Sequence, residues 1–242
     1  MPNLDVTSRG PLETAVADTL AEAIGREQRD DPVLPGTGGP AGNAALTAWT
    51  AIVLLVVSFA EGLTLFDVHG LMSWHVALGA LLIPPALLKT ASTGWRMVRY
   101  YVGSPPYRTA GPPPLLLRLL GPLVVVSTLG LLASGVVLIL LGPDTSHHSV
   151  VSVLGLGFDW SGLHKAFFAV WFGVMTLHVL GRILPALRIT RTSAADGTPV
   201  PGGWARALLL VAVVASAAAL AVALVHADGS WARLQPVFGD DG

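Results

Sequence analysis

Two histidines in one apolar segment are the residues of this chain best suited to chemistry. His164 and His178 lie 14 residues apart within residues 161–182, a stretch apolar enough to cross a bilayer. In a helix, 14 residues leave the two side chains about 40° apart around the axis and about 21 Å apart along it. One face therefore presents an imidazole near each side of the membrane. Ionisable groups are costly there, and neutral imidazole is a common axial ligand of haem iron.

A second apolar segment repeats this spacing with His75 and Lys89, which are also 14 residues apart. If the two segments run in the same direction, His75 lies at the depth of His164 and Lys89 at the depth of His178. Small residues on the same face, Gly79 and Ala86, would leave room for a planar group. The two predicted faces are His164, Phe168, Trp171, Met175 and His178, and His75, Gly79, Leu82, Ala86 and Lys89. Gly62, Gly130 and Gly135 could open further space in the core.

The composition of the chain is that of a membrane protein. Of its 242 residues, 52% are hydrophobic and only 12% are charged, and the mean hydropathy is +0.65. A net charge of −1 argues against nucleic-acid binding. The absence of cysteine excludes disulfides, thiolate-bound zinc, iron–sulfur clusters and covalently attached c-type haem. The first twenty residues lack the basic and apolar regions of a signal peptide.

Five apolar spans organise the rest of the chain. They are predicted at residues 45–66, 68–91, 115–141, 159–187 and 204–226. We expect residues 1–44 to form a flexible cytoplasmic tail, 45–187 a four-helix core, 188–203 a cytoplasmic loop, and 204–226 a fifth, peripheral helix before an external tail at 227–242. The spacing of Leu12, Val16, Leu20 and Ile24 allows one short amphipathic helix in the first tail. Pro84 and Pro85 are expected to break the second span.

The distribution of basic residues predicts the orientation. Cytoplasmic loops carry an excess of lysine and arginine. The connection after the second span and the one after the fourth are rich in these residues, whereas the opposite side has two. We therefore expect the N-terminus in the cytoplasm and the C-terminus outside, and we call the Lys89 end of the spans the inner end. The inner set is Lys89, Arg96, Arg99, Arg108, Arg118, Arg182, Arg188, Arg191 and Arg206; the outer set is Lys165 and Arg233.

The core resembles a known family. Residues 45–187, and most specifically the motifs SGVVLILLGP (134–143) and LHKAFFAVWFGVMTLHVLGR (163–182), are similar to the di-haem b-type membrane cytochromes. The likeness is to the amino-terminal half of cytochrome b/b6 and to bacterial cytochrome b561-like subunits. It implies an all-α, four-helix haem-binding bundle with two b haems. The outer haem would map onto His75 and His164 and the inner haem onto His178, with Lys89 standing where the family has a histidine.

The resemblance implies transmembrane electron transfer by non-covalent haem b, with one or two haems. A quinone pool and a dehydrogenase or reductase subunit are the implied partners. The chain would then be the electron-transfer subunit of an oxidoreductase complex in the cell membrane, in contact with the lipid bilayer.

Other interpretations of these residues stay open at this stage. The histidines could be packed polar groups, or they and Glu61 could line the path of a proton-coupled transporter, or the chain could be a cofactor-free anchor. Glu61 could pair with His69 at the outer boundary, and Lys89 could extend to the inner surface. His147 and His148, adjacent in an outer loop, could bind a metal but are more typical of residues facing water.

Overall fold

The computed structural model of the protein describes residues 10–27, 29–146, 151–153, 156–191 and 198–227. It confirms the predicted all-α membrane fold. The helices are α1 (Pro11–Ala23), α2 (Gly39–Thr64), α3 (Met72–Tyr101), α4 (Pro105–Thr109), α5 (Leu115–Ser146), α6 (Trp160–Arg191) and α7 (Gly203–Ala227), with a 3-10 turn at Leu65–Asp67 and two short strands, β1 (Val151–Val153) and β2 (Leu156–Phe158). Within the described residues, α2, α3, α5, α6 and α7 are long and apolar enough to span a membrane.

The surface of these five helices is suited to lipid. Large apolar side chains face outward along their length; Leu119, Leu180 and Val211, for example, are 63%, 65% and 66% exposed. A water-soluble protein rarely exposes apolar surface so continuously. The exposed surface therefore supports a multi-pass membrane protein in contact with a bilayer.

Four of the spans form a ring. Helix α2 packs against α3 and α6, and α5 packs against the same two helices, so α3 and α6 lie diagonally across the bundle. Helix α7 packs mainly on the outside of α3. This contact contains the buried cluster of Val76 and Ala80 with Ala221 and Leu224, in which small residues bring the helices close together. The fifth helix is thus peripheral to the ring, as predicted.

The expectation that Pro84 and Pro85 break the second span is wrong. Helix α3 is continuous through both prolines. A proline removes one backbone hydrogen bond, but neighbouring helices and small adjustments of the backbone make this tolerable inside a membrane. The continuity matters because it keeps His75 and Lys89 on one uninterrupted helix.

The residues before the first span are folded against the inner end of the bundle from Pro11 onward. Helix α1 forms where the apolar spacing predicts a helix, and it packs on α5 and α6. Arg182 forms an ion pair with Glu22, and Arg188 donates a hydrogen bond to the Gly25 carbonyl. Arg96 pairs with Asp31 in the segment that leads to α2.

The outer connection between α5 and α6 contains a change of direction and a hairpin. Gly142 has φ +72°, a left-handed conformation that glycine adopts without strain, and it kinks the end of α5. Strands β1 and β2 pair antiparallel, with Val151 opposite Phe158. We predict from the sequence that residues 150–156 lie along the membrane surface. His147 and His148, with their predicted water-facing or metal-binding role, lie outside the described residues.

Candidate functional site

A large cavity, partly open to the surface between the helices, lies among the four helices of the ring. Its volume is about 2170 Å³, roughly twice the upper end of the usual 300–1,000 Å³ range of ligand pockets. Both faces predicted from the sequence border it. The lining includes His75, Gly79, Leu82, Ala86 and Lys89 from α3, and His164, Phe168, Trp171, Met175 and His178 from α6. We call it the central cavity.

The outer half of the central cavity brings two imidazoles together from diagonal helices. His75 lies in the first turn of α3 and His164 in the second turn of α6. Their ring centroids are 6.4 Å apart, and the ring planes are nearly perpendicular, at 84°. Helices α3 and α6 do not pack directly on each other, so the histidines bridge the space between them.

The orientation of the His75 ring is set by two residues of α2. Its Nδ1 lies 2.8 Å from Glu61 Oε1 and 3.0 Å from Thr64 Oγ1. The Thr64 hydroxyl donates its own proton to the Glu61 carbonyl oxygen, at 2.6 Å, so it can only accept from His75. Both contacts place the proton of the neutral His75 ring on Nδ1.

The His164 ring is held in the same way by α5. Ser134 Oγ lies 2.9 Å from His164 Nδ1 and donates its own proton to the Leu131 carbonyl oxygen, also at 2.9 Å. Ser134 therefore accepts the Nδ1 proton of His164. The next residue, Gly135, lies directly against the ring: a Cβ atom added there would be 3.3 Å from His164 Cε1.

These contacts leave the Nε2 lone pairs of His75 and His164 available to a metal. Histidine ligands in metal sites commonly donate the opposite N–H to a carboxylate or other acceptor, which fixes the tautomer and raises ligand basicity. With metal–nitrogen bonds of about 2.0 Å and a ring radius of about 1.2 Å, two imidazoles on opposite sides of one ion have centroids about 6.4 Å apart. The observed 6.4 Å fits a pair of axial ligands to haem iron.

The inner half of the central cavity has a different character. His178 and Lys89 both border it, and Lys89 and Arg182 are close enough to His178 to act on it electrostatically. Arg182 is neutralised by Glu22 of α1, whereas the Lys89 ammonium forms no ion pair with any described residue. His178 Nδ1 is buried without a hydrogen-bond partner in the described part of the chain. His178 thus lacks the supporting acceptor that His75 and His164 each have.

Aromatic side chains line the central cavity between its two halves. Phe168 and Trp171 stack with centroids 6.3 Å apart, and Trp171 Nε1 donates to Thr128 Oγ1 of α5 at 3.1 Å. Both residues lie between His164 and His178 along α6. They line the central cavity between its outer and inner ends.

Neither spacing nor composition predicts which residues support the histidines. Thr64 and Ser134 are both 3% exposed, and neither is singled out by spacing alone. Glu61 contacts His75, although the sequence favours pairing with His69; His69 also borders the central cavity.

The glycines divide into two groups. Gly135 and Gly62 line the central cavity as expected, but Gly130 does not, because it accommodates the Phe167 ring where α5 packs on α6. Gly121 also lines the cavity but is not among the glycines predicted from the sequence. It lies 14 residues before Gly135 and has open space where a Cβ would lie. The same 14-residue interval that relates the histidines could have identified it.

No conventional multidentate metal site is present in the described residues. Nowhere in them do three or more histidine, cysteine, aspartate or glutamate side chains gather closely enough to hold an ion. A haem needs only axial ligands from the protein, because its porphyrin supplies the remaining ones. Two facing imidazoles are therefore sufficient at the outer position.

Comparison of the chain with family models, with curated proteins and with solved structures gave no match. The resemblance to b-type cytochromes therefore rests on the motifs and spacing within this chain.

Proposed function

We propose that this protein holds haem b non-covalently between α3 and α6 and carries electrons across the membrane. The observation that supports this most directly is the pair of imidazoles in the central cavity, His75 and His164, at a centroid separation of 6.4 Å. Haem b, when bound, supplies a one-electron redox couple within the membrane.

The residues around the outer site have distinct proposed roles. His75 and His164 would hold the haem iron through their Nε2 atoms. Glu61 and Thr64 hold the His75 ring, and Ser134 holds the His164 ring, so that each Nε2 faces a bound metal without rotating. Glu61 also places a carboxylate beside one ligand, which favours the more positively charged, oxidised state of the site.

A second haem is proposed at the inner end, with His178 as its protein ligand. The 14-residue interval sets the inner position about 21 Å along α6 from the outer one. Both His164 and His178 border the central cavity, so it extends over both positions. Lys89 is either its second ligand, which requires a deprotonated amine, or a cation beside it. Two such groups would relay electrons between the membrane faces.

The proposed electron partners are those that the resemblance to b-type cytochromes implies. A membrane-soluble quinone is the proposed carrier on one side, and a dehydrogenase or reductase subunit is the proposed partner on the other. The chain would then be the electron-transfer subunit of an oxidoreductase complex in the cell membrane.

The test of the proposed function is the haem content of histidine variants expressed with haem supplied. His75→Ala and His164→Ala should each lose a low-spin b-type absorption signal while still inserting into the membrane. His226→Ala is the matched control, because His226 is exposed near the end of α7 and, among the described residues, forms a hydrogen bond with the Val222 carbonyl oxygen of its own helix. Wild-type spectra from both cavity variants would contradict the assignment.

A second candidate function is proton transfer without haem. Glu61 Oε2 is buried without a partner in the described structure, and Glu61 Oε1 contacts His75, which in turn faces His164. These groups could pass protons across the outer half of the central cavity. A colourless purified protein that acidifies vesicles, with the activity lost in Glu61→Gln, would favour this function over electron transfer.

A further inference from the structure

Helix α1 carries an apolar stripe that no part of the described structure covers. Its members are 45–74% exposed, an unusual state for apolar residues on a helix that packs against a protein. The side of α1 that packs on the bundle instead contains the buried residues Ala15, Glu22 and Ala23. We call the exposed set the α1 stripe: Leu12, Val16 and Leu20 of the helix, with Ile24, the C-cap residue that follows it.

The α1 stripe points sideways relative to the bundle. At about 100° per residue, its centre lies about 100° around the helix from the packed side and about 160° from the exposed polar side, which contains Thr14 and Asp18. Glu13 projects between Leu20 and Ile24, about 40° from the centre of the stripe, but it lies in the first turn of the helix, where its carboxylate accepts a hydrogen bond from Gly10 N–H at 3.2 Å. The helix thus has an apolar side and a nearly opposite polar side, and the side that packs on the bundle lies between these two around the helix.

The position of α1 along the bundle matches the boundary of the membrane. Its C-terminal end is joined to α6 by the Arg182–Glu22 ion pair and by the hydrogen bond from Arg188 to the Gly25 carbonyl oxygen, at 2.6 Å. Arg182 ends the apolar stretch 161–182, and Arg188 and Arg191 follow within two and a half turns, so this attachment lies near the inner end of that span. Neighbouring residues Leu180 and Leu184 of α6 are 65% and 45% exposed and belong to the lipid-facing surface.

We propose that α1 lies in the membrane interface at the inner end of the bundle, with the α1 stripe inserted among lipid chains. This arrangement turns Thr14 and Asp18 to water and continues the lipid-facing surface of α6 onto the N-terminal segment. Helix α1 contains no lysine or arginine. The binding of α1 to the membrane therefore depends on apolar contact and not on attraction to anionic lipid. The proposal does not depend on haem binding.

Single-cysteine labelling tests this proposal without background, because the chain has no native cysteine. Val16→Cys and Leu20→Cys report on the α1 stripe, and Thr14→Cys and Asp18→Cys are matched controls on the polar side. All four positions are exposed, so the substitutions disturb no packing. Each full-length variant is labelled with bimane and placed in nanodiscs of zwitterionic lipid with or without brominated acyl chains.

The expected result is quenching by brominated lipid that is several-fold stronger at positions 16 and 20 than at 14 and 18, with the opposite order for aqueous iodide. Equal iodide quenching at all four positions, with none from brominated lipid, would overturn the proposal. That outcome would indicate that the α1 stripe faces water or binds a partner protein instead of lipid. Monodisperse elution of each labelled nanodisc confirms that the comparison concerns folded protein.

Discussion

Gly135 offers a steric test of the outer site that leaves both proposed ligands in place. A Cβ at this position would lie 3.3 Å from His164 Cε1 and 3.7 Å from Nδ1, so the ring must move by a few tenths of an ångström even for alanine. Gly135→Leu adds three further carbons in the same direction. Overpacking of this kind costs about 1–3 kcal/mol. If that cost falls on the haem-bound state, affinity for haem drops by about 5- to 150-fold.

The assay is a haem titration of the purified protein in detergent. The absorption band of bound haem reports how much haem has bound. Gly173→Leu is the matched control, since Gly173 lies on α6 outside the central cavity and no atom would be within 4 Å of its Cβ. We expect the control to bind haem as the wild type does. Wild-type affinity and spectrum in Gly135→Leu would refute the placement of His164 beside a bound haem.

Three further predictions concern the supporting residues, the inner site and the orientation. Glu61→Gln removes a negative charge beside His75, so we expect a higher midpoint potential in a redox titration and about tenfold weaker haem binding; an unchanged potential would argue against this role. The wild type should hold two haems, of which His178→Ala loses one, and a changed ligand-field signal in Lys89→Met would indicate ligation by the amine. One haem in the wild type, unaffected by His178→Ala, would eliminate the inner site. A C-terminal reporter fusion should be active outside the cytoplasm; activity only inside would reverse the topology.

Helix periodicity explains why much of the cavity lining could be predicted from the sequence. The relation between His164 and His178 depends only on the residues between them and on regular helix geometry. The same local argument predicts the faces that contain Gly79 and Met175, and both border the central cavity. Apolar length likewise predicts five spans, because a bilayer requires a minimum number of consecutive apolar residues.

The contacts between helices could not be predicted in this way. Glu61 reaches His75 and Ser134 reaches His164 only because α2 neighbours α3 and α5 neighbours α6 in the ring, at depths set by packing. Nothing in the sequence near Glu22 predicts that it pairs with Arg182, because the two residues meet only in the folded protein. The effect of Pro84 is also a property of its surroundings, since a membrane helix tolerates a proline that would break an exposed one.

The most direct test of the central claim is the optical and electron paramagnetic resonance spectrum of the purified wild-type protein, expressed with haem supplied. Two histidine ligands should give a low-spin, b-type spectrum. The 84° angle between the His75 and His164 rings should make the ferric signal strongly anisotropic, because perpendicular imidazole planes leave two iron d orbitals nearly equal in energy. A colourless protein, or a high-spin haem unaffected by replacing either histidine, would contradict haem ligation across α3 and α6.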